Sequence, residues 1–579
     1  MFRGQNLERD AFSTAELYPA VIGEDSFYMF LARQGRKFFR DRDFADFYHP
    51  TMGRPSVPPS ILMRTLLLQM YDRVSDEEAT RRVRTDLAWK AALNLAPDEV
   101  PFRAKSTLVL FRAKLLASGR ARELFERAVR EIEAAYNLKK RGPAGGKQIA
   151  LDTTPVFGRG AVKDVFNLLA DLVKQIVIHV ATALEHKPAD WARRNGFGQY
   201  FGKSFKGMCR INWDDPEERE KLLAQVLADA RRIQQLAREV MERGKHRRLS
   251  QRHQEELEDR LGLLEEIVIQ NVEQRADGSV KVKQGMARDR IVSTTAPEMR
   301  HGRKSTSQRF DGYKLAVAVD VETQLITAVE VLPANAHDSA AAEPLVEGTE
   351  RATGQKVTEI IGDSAFGDAR SRARWQERGM RVTAKVPKVP PGERFGKEDF
   401  ELGPDEQWLK CPAGRVTYKW YRSRVKIGGN VYETKRFVFP AEWCSVCPLR
   451  SRCVREPCRR GRVVTLHPFE SLLRAARREQ ETEAFRQRYR KRLVVEHRIA
   501  RLIQLGMRQA RYFGRRKVLL QALLTAMVAN LSLFWSFSLA ETLHSSLSFV
   551  FLAGHLVMIA SAAALLRQVP LPVTLRQAL

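Results

Sequence analysis

Cysteine is scarce in this sequence, six in 579 residues. That count excludes a disulfide-stapled scaffold and fits a reducing compartment, the cytoplasm. The N-terminal stretch MFRGQNLERDAF has charges and no apolar run, so no secretory leader is expected. Acids are short against bases, 69 to 98, which leaves a formal net charge of +29. An excess of that size points to a polyanion as partner, because neutralised phosphates release their counterions. Solubility or a ribosome-like partner is the plainer alternative, and nucleic acid is the simpler reading for a chain this large. Long uncharged runs are confined to Val518–Ala540 and Leu547–Leu566. The first is long enough to span a membrane, but Gln521, Thr525, Asn530 and several serines argue for a buried helix. A membrane partner is not expected, and the apolar tail 541–579 receives no role.

At 579 residues the chain is too long for one simple domain, and two to four units are expected. Residues 1–137 read as mainly helical. Gly53-Arg54-Pro55-Ser56 with Pro58-Pro59 forms a turn before the apolar helix Ile61 to Tyr71. Ser75-Asp76-Glu77-Glu78 is a capping box for a helix carrying Arg81, Arg82 and Arg84. Such basic helices suit a DNA-binding or dimerisation unit; a plain helical cap is the alternative. Leu138 to Lys147 (LKKRGPAGGK) is a basic linker.

After the linker, acids recur at the ends of short apolar runs. Gln148 to Leu151 leads into Asp152, and Val357 to Gly362 leads into Asp363. Between them lie a charged helical insertion, 165–272, with a hairpin turn at Ala276-Asp277-Gly278, and the strand pair Tyr313–Asp320 and Leu325–Leu332. Asp164 follows Asp152 closely but is not taken as a ligand. Asp338, after His337, reads as a helix-opening residue facing the dipole. Met380 to Val386 is a candidate fifth strand. A β-rich insertion, 387–470, then precedes a strongly basic stretch.

That stretch, Tyr489 to Ile503, reads YRKRLVVEHRIARLI. From Arg486 to Lys517 there are twelve Lys or Arg residues and one acid, Glu496. With no Gly or Pro between Arg486 and Leu505, one helix is expected, carrying Tyr489, Arg492, Glu496 and Ile503 on one face. Glu496 reads either as half of a surface ion pair with Arg492 or as a metal ligand beside a phosphodiester.

Tyr489, Arg492 and Glu496 at this spacing resemble the Tyr-x2-Arg-x3-Glu signature of DDE insertion-sequence transposases. The Gly-Arg-Pro-Ser turn, Leu-rich helix and Ser-Asp-Glu-Glu run resemble the N-terminal domain of one branch of that group. Gly158 to Asn167 and the phrase PANAHDS are also similar to it. Where the family often has Lys seven residues after the Glu, this chain has Ile503, and Lys517 is the candidate for that role.

The resemblance implies an α/β, RNase H-like catalytic core over 148–540, with a helical N-terminal domain and two insertions. It implies metal-dependent DNA cleavage and strand transfer at the terminal inverted repeats of an insertion sequence. Asp152, Asp363 and Glu496 would hold two Mg²⁺ or Mn²⁺ ions. Tyr489, Arg492, Arg498, Arg501 and Lys517 would contact DNA. A homodimer on double-stranded DNA, both element ends and target, is implied, in a bacterial cytoplasm with the nucleoid. A nuclease or resolvase on the same core, and a non-catalytic DNA-binding descendant, are the rival readings.

Two features of the β-rich insertion stand apart. Trp408, Trp420 and Tyr421 would either stack a flipped base or fill the insertion's core. Cys444 and Cys447 form a C-x2-C pair, with Cys453 after and Cys411 before them, the ligand inventory of a structural four-cysteine zinc site. Cys458 is a spare, Cys209 lies far off, and unligated thiols are the alternative.

Overall fold

The computed structural model describes residues 1–539 except 9, 138–145, 248–249, 286, 306, 387–392, 428 and 455–460. The expected tail, most of the expected linker, the start of the β-rich insertion and Cys458 lie outside the described residues. The fold is mixed α/β.

The chain begins in helices: α1 (Phe27–Phe38), α2 (Pro59–Tyr71), α3 (Asp76–Thr85), α4 (Ser106–Ser118) and α5 (Arg120–Asn137). Helix α2 starts on a proline at its first position, where the missing N–H costs nothing. It is buried from Pro59 through Met70 and is the centre of the group. Its one cation, Arg64, is fully buried and donates to the Ala92 and Leu93 carbonyls, Gln5 Oε1 and Asn94 Oδ1. Ser75 opens α3 as expected, its hydroxyl accepting from the Glu78 amide at 3.1 Å.

The sheet follows. Its strands are β1 (Lys147–Phe157), β2 (Arg309–Asp320), β3 (Ile326–Pro333), β4 (Val357–Ile361) and β5 (Arg381–Thr383). They lie side by side in the order β3-β2-β1-β4-β5, and the short strand Arg300–Arg303 extends the β2 edge. β1 is antiparallel to β2 and parallel to β4, and β4 is parallel to β5. Helix α6 (Ala342–Thr353) crosses from β3 to β4, and α7 (Ala369–Glu377) from β4 to β5. Side chains alternate between two buried faces, as the period of two demands. Ile149, Leu151, Ala316 and Ala318 face Leu345 and Val346 of α6. Ala150, Leu315, Val317 and Val319 face the opposite way, into a cluster shared with the N-terminal helices.

That larger cluster is completed from far along the chain. Helix α8 (Leu493–Leu502) adds Val495 and Leu502, and α9 (Arg515–Leu539) adds the run Val518 to Leu531. The uncharged run is therefore an interior helix. Asn530 accepts from the Ile326 amide at 2.9 Å and donates to its carbonyl at 2.8 Å, filling the outer hydrogen bonds of this β3 residue. Phe534 meets Phe30 and Phe38 of α1 edge-on. Val165–Ala183 and Arg515–Leu539 are long and apolar enough to cross a membrane, yet most of each is buried inside the protein.

Two insertions leave this framework. The first holds the helices Val165–Ala183, Pro216–Arg247 and Gln251–Asn271, with a core of its own in which Leu169, Val173 and Ile176 meet Leu223, Ile233 and Leu264. It ends in the hairpin Val272–Gln274 with Val280–Val282, turning at Gly278, whose φ of +85° only glycine adopts freely. The second is β-rich. Strands β6 (Glu401–Leu402), β7 (Leu409–Lys410) and β8 (Val416–Thr417) form one small sheet, and β9 (Trp420–Ile427), β10 (Asn430–Val438) and β11 (Val463–Thr465) form another. Its buried core is Phe400, Leu409, Phe437, Phe439, Val464 and Leu466.

Candidate active site

Register brings the first two acids level. β1 and β4 run parallel with Ala150 opposite Ile361. Two residues further along each strand stand Asp152 and Asp363. Asp152 is still within β1, opposite Val317 of β2, whereas Asp363 lies just past the end of β4. The Thr153 amide donates to Asp152 Oδ1 at 2.7 Å, and the Ala365 amide to Asp363 Oδ1 at 2.9 Å. Both carboxylates are thus held by backbone donors at the start of a turn or along a strand, which fixes their rotamers.

Glu496 arrives on α8, but not on the single helix expected from the sequence. The basic stretch divides into Glu483–Arg490 and Leu493–Leu502. At the junction the Lys491 and Arg492 amides bond to carbonyls three residues back, tightening the chain. Both side chains reach across to β1. Lys491 Nζ donates to Gln148 Oε1 at 2.9 Å, and Arg492 Nη1 to Asp152 Oδ2 at 2.8 Å. Arg492 Nη2 donates to Glu496 Oε1. One guanidinium thus joins an acid on the sheet to an acid on the helix. Ile503 packs against the large cluster.

Tyr489 completes the group. Its ring stacks on Phe485, with Lys385 Nζ 4.9 Å and Arg492 Cζ 6.0 Å from its centroid. Burial pushes the Tyr489 hydroxyl up; Arg492 opposes this, and Asp363 and Asp152 add to it. Burial also raises the Asp152 carboxyl above its ordinary value. The Thr153 amide and Arg492 work against the rise, and neighbouring Asp363 works with it. Asp152 and Asp363 each act electrostatically on Tyr489, and Asp363 acts on Asp152.

Among the described residues, no three His, Cys, Asp or Glu side chains are gathered closely enough to hold a metal ion as they stand. The donor chemistry at the site is carboxylate oxygen, which suits a hard divalent cation. Arg492 occupies the position of counter-charge between two of the three acids.

Not all the expected DNA contacts are here. Arg498 is corrected: it is 7% exposed, donates to Asn530 Oδ1 at 3.4 Å, and its guanidinium is pushed down to about 10 by burial and nearby Arg501. Position 498 falls three residues after buried Val495 and four before buried Leu502, so the helical period carries it to the inner face. Arg501 is half-buried and acts on Tyr71 of α2. Lys517 is exposed in the first turn of α9, a different helix from the one that carries Glu496. Of the aromatics, Trp420 packs at the edge of the insertion's core under Lys435, Trp408 is half-buried, and Tyr421 is 52% exposed.

Sequence reasoning gave no part in the site to three residues beside the acids, Asp338, Lys314 and Arg508. Asp338 does more than open a helix: it accepts from Lys314 Nζ at 2.6 Å and from Thr153 Oγ1 at 2.9 Å, next to Asp152. Arg508 Nη1 donates to Thr154 Oγ1 and the Pro155 carbonyl, both at 3.1 Å. The available signal was Lys314, a lone cation in the apolar run YKLAVAVD. Farther off, a cleft of about 910 Å³ separates α3 and α4 from residues 505–512, and Arg73, Lys105, Arg112, Arg159 and Arg511 line it with Asp76 and Glu77.

The four expected zinc-ligand cysteines lie around one cavity of the β-rich insertion. The Cys453 thiol is pushed up by burial, with Arg462 opposing and the thiols of Cys444, Cys447 and Cys411 reinforcing.

No curated protein and no solved structure matches the chain. A family model described as Transposase domain (DUF772) matches residues 22–114, the span of α1 to α4. A second, described as Transposase DDE domain, matches residues 410–535, which include Tyr489, Arg492 and Glu496 but not the two strand-borne acids. Together, a transposase domain at one end and a DDE domain at the other indicate a DDE-type insertion-sequence transposase.

Proposed function

We propose that this transposase binds the terminal inverted repeats of its element and carries out metal-dependent strand cleavage and strand transfer on an RNase H-like core. The observation that carries this reading is the joining of Asp152 and Glu496 through Arg492, with Asp363 level with Asp152 on the neighbouring strand. Strand order β3-β2-β1-β4-β5, with β2 antiparallel and β4 parallel to β1, supports the RNase H-like core.

Asp152, Asp363 and Glu496 would hold Mg²⁺ or Mn²⁺ ions. When bound, such ions activate a water or a 3′-hydroxyl and stabilise the leaving oxygen. The residues themselves do the positioning. Thr153 and Ala365 amides aim the two aspartates. Arg492 keeps Glu496 turned toward the sheet and presents a donor fork suited to a phosphate once cations neutralise the acids. Tyr489 and Lys385 stand on the same side and would steady the strand backbone. Residues 1–137 would serve as the helical DNA-binding or dimerisation domain and 148–540 as the catalytic domain, acting as a homodimer on double-stranded DNA in a bacterial cytoplasm.

The test uses duplex DNA carrying the element's ends. Wild-type protein should nick the ends and join them to target DNA in Mg²⁺, and Asp152→Asn, Asp363→Asn and Glu496→Gln should each bind the ends and do neither. Nicking without joining would replace this reading with that of a nuclease on the same core. Near-normal cleavage by one variant would remove that residue from the site.

A further inference from the structure

We propose that Cys411, Cys444, Cys447 and Cys453 bind one structural zinc ion that clamps the two small sheets of the β-rich insertion together. The inference is independent of the catalytic reading, since the insertion's cavity and the carboxylates share no residue.

The four thiols come from separate places in the chain. Cys411 follows β7 in the first small sheet. Cys444 lies in the short helix Ala441–Ser445 after β10 of the second, Cys447 just past it, and Cys453 follows the turn Arg450–Arg452. All four line a single cavity of about 30 Å³, enough for one ion. The remaining described cysteine, Cys209, belongs to the helical insertion, so abundance does not explain the convergence. All five are free thiols; no pair among them is a disulfide.

The backbone around the cavity is shaped for ligands. Cys411-Pro412-Ala413-Gly414 closes on itself, the Gly414 amide donating to the Cys411 carbonyl at 2.8 Å and the Cys411 amide to the Arg415 carbonyl at 2.9 Å. Gly414 has φ +84°, which this tight turn requires and a side chain resists. The Cys447 amide bonds back to the Cys444 carbonyl at 3.5 Å, a second turn with a thiol at each end. The Arg462 amide is directed at Cys444 Sγ, 3.4 Å away, the donor a thiolate needs.

Charge points the same way. Arg462 is held at the cavity wall by its bonds to the Cys453 carbonyl (2.9 Å) and the Phe395 carbonyl (2.7 Å), and its Nε is buried with no partner. A half-buried guanidinium whose Nε is shielded from water and unpartnered is favoured by an anion facing it. Four thiolates around a divalent ion carry a net charge of −2 and supply that anion. As they stand the thiols ring the cavity without meeting at one point, so binding turns them inward. Soft thiolates select zinc over the hard ions suited to the carboxylate site, and four of them leave no open position for water.

The insertion has reason to need the clamp. Among the described residues, a cluster of six buried hydrophobic side chains serves two three-stranded sheets, and in the first sheet every strand is two residues long. A core that small rarely holds by itself, whereas ligands from both sheets on one ion convert binding energy into folding energy.

The full chain, purified without chelator, is analysed for metal by mass spectrometry. About one zinc per chain is expected, and none in the Cys444→Ser/Cys447→Ser double variant, with Cys209→Ser retaining it. Limited proteolysis of the double variant should cut between 395 and 466 while the sheet stays intact. Should the double variant not fold, a strong chelator added to the unaltered chain should draw out one zinc and open the same segment. Unaltered protein that is folded, free of zinc and reactive at all four thiols would overturn the proposal, as would one equivalent of iron in zinc's place.

Discussion

The central sheet and the β-rich insertion are both built of strands, and they hold together by different means. In the sheet, β1 and β2 are buried on both faces, and helices from three distant parts of the chain cover them. Burial alone is enough there, at roughly 25 cal/mol per Å² of apolar surface. Such a framework tolerates an acid within β1, Asp152, and another just past β4, Asp363, where charge repulsion works against folding. The insertion has a thin core, and charged pairs tie it down: Glu470, 1% exposed, accepts from Lys397 at 2.5 Å and from Arg474 at 3.1 Å, and Arg474 also reaches the Phe400 carbonyl. The lesson is that the candidate catalytic acids sit on the part that burial holds, and polar links sustain the part with the thin core.

The largest effect that separates the two regions falls on cleavage. Removing a carboxylate from the sheet, as in Asp363→Asn, should reduce cleavage to background. That exceeds the roughly 10–100-fold expected for losing a residue that merely supports a ligand. Phe437→Ala, in the insertion's core, should leave Mn²⁺ binding at the carboxylates unchanged, measured by electron paramagnetic resonance. Loss of Mn²⁺ binding in that variant would erase the distinction.

Binding comes next. If about six to ten phosphates are neutralised, affinity should fall on the order of 10³–10⁵-fold between 50 and 200 mM salt. Arg492→Gln should flatten that slope by about one contact. Arg498→Gln should not change it, because Arg498 is buried against Asn530. Titrations by fluorescence anisotropy at several salt concentrations decide both.

Stability follows. Leu151→Ala should cost about 2–5 kcal/mol and lower the main unfolding transition in calorimetry, since Leu151 is fully buried in the sheet. Phe437→Ala, equally buried, should instead raise proteolysis of the insertion and leave the main transition nearly in place. A shared shift would mean that the two regions unfold as one.

The smallest effect is one of pH. Burial pushes Glu470 up, but Lys397, the His467 amide and Arg474 together hold it below its ordinary value. A carboxyl depressed in the folded state stabilises above its unfolded pKa, and that stability is lost as pH falls through the folded value. The insertion should therefore loosen in acid, below the ordinary carboxylate range. Glu470→Gln should lose about 2 kcal/mol of that stability at neutral pH and remove the acid dependence, read by proteolysis across the pH series.

Much of this was legible along the chain. Short apolar runs made β1, β2 and β3 readable, and acids at the ends of such runs marked 152 and 363. Charge density marked the segment around Glu496. These are local signals: apolar runs and charge density depend on near neighbours alone. What the sequence by itself determined was the succession of elements, the excess of basic charge and the pool of ligand residues. The tertiary structure alone decided that Arg492 spans Asp152 and Glu496, that Asp338 sits against Thr153, and that Arg498 turns inward. The interior place of α9 was already legible in Gln521, Thr525 and Asn530, whereas the tertiary structure alone decided that four cysteines face one cavity. Each depends on which surfaces meet across tens or hundreds of residues, and packing, not propensity, sets that choice.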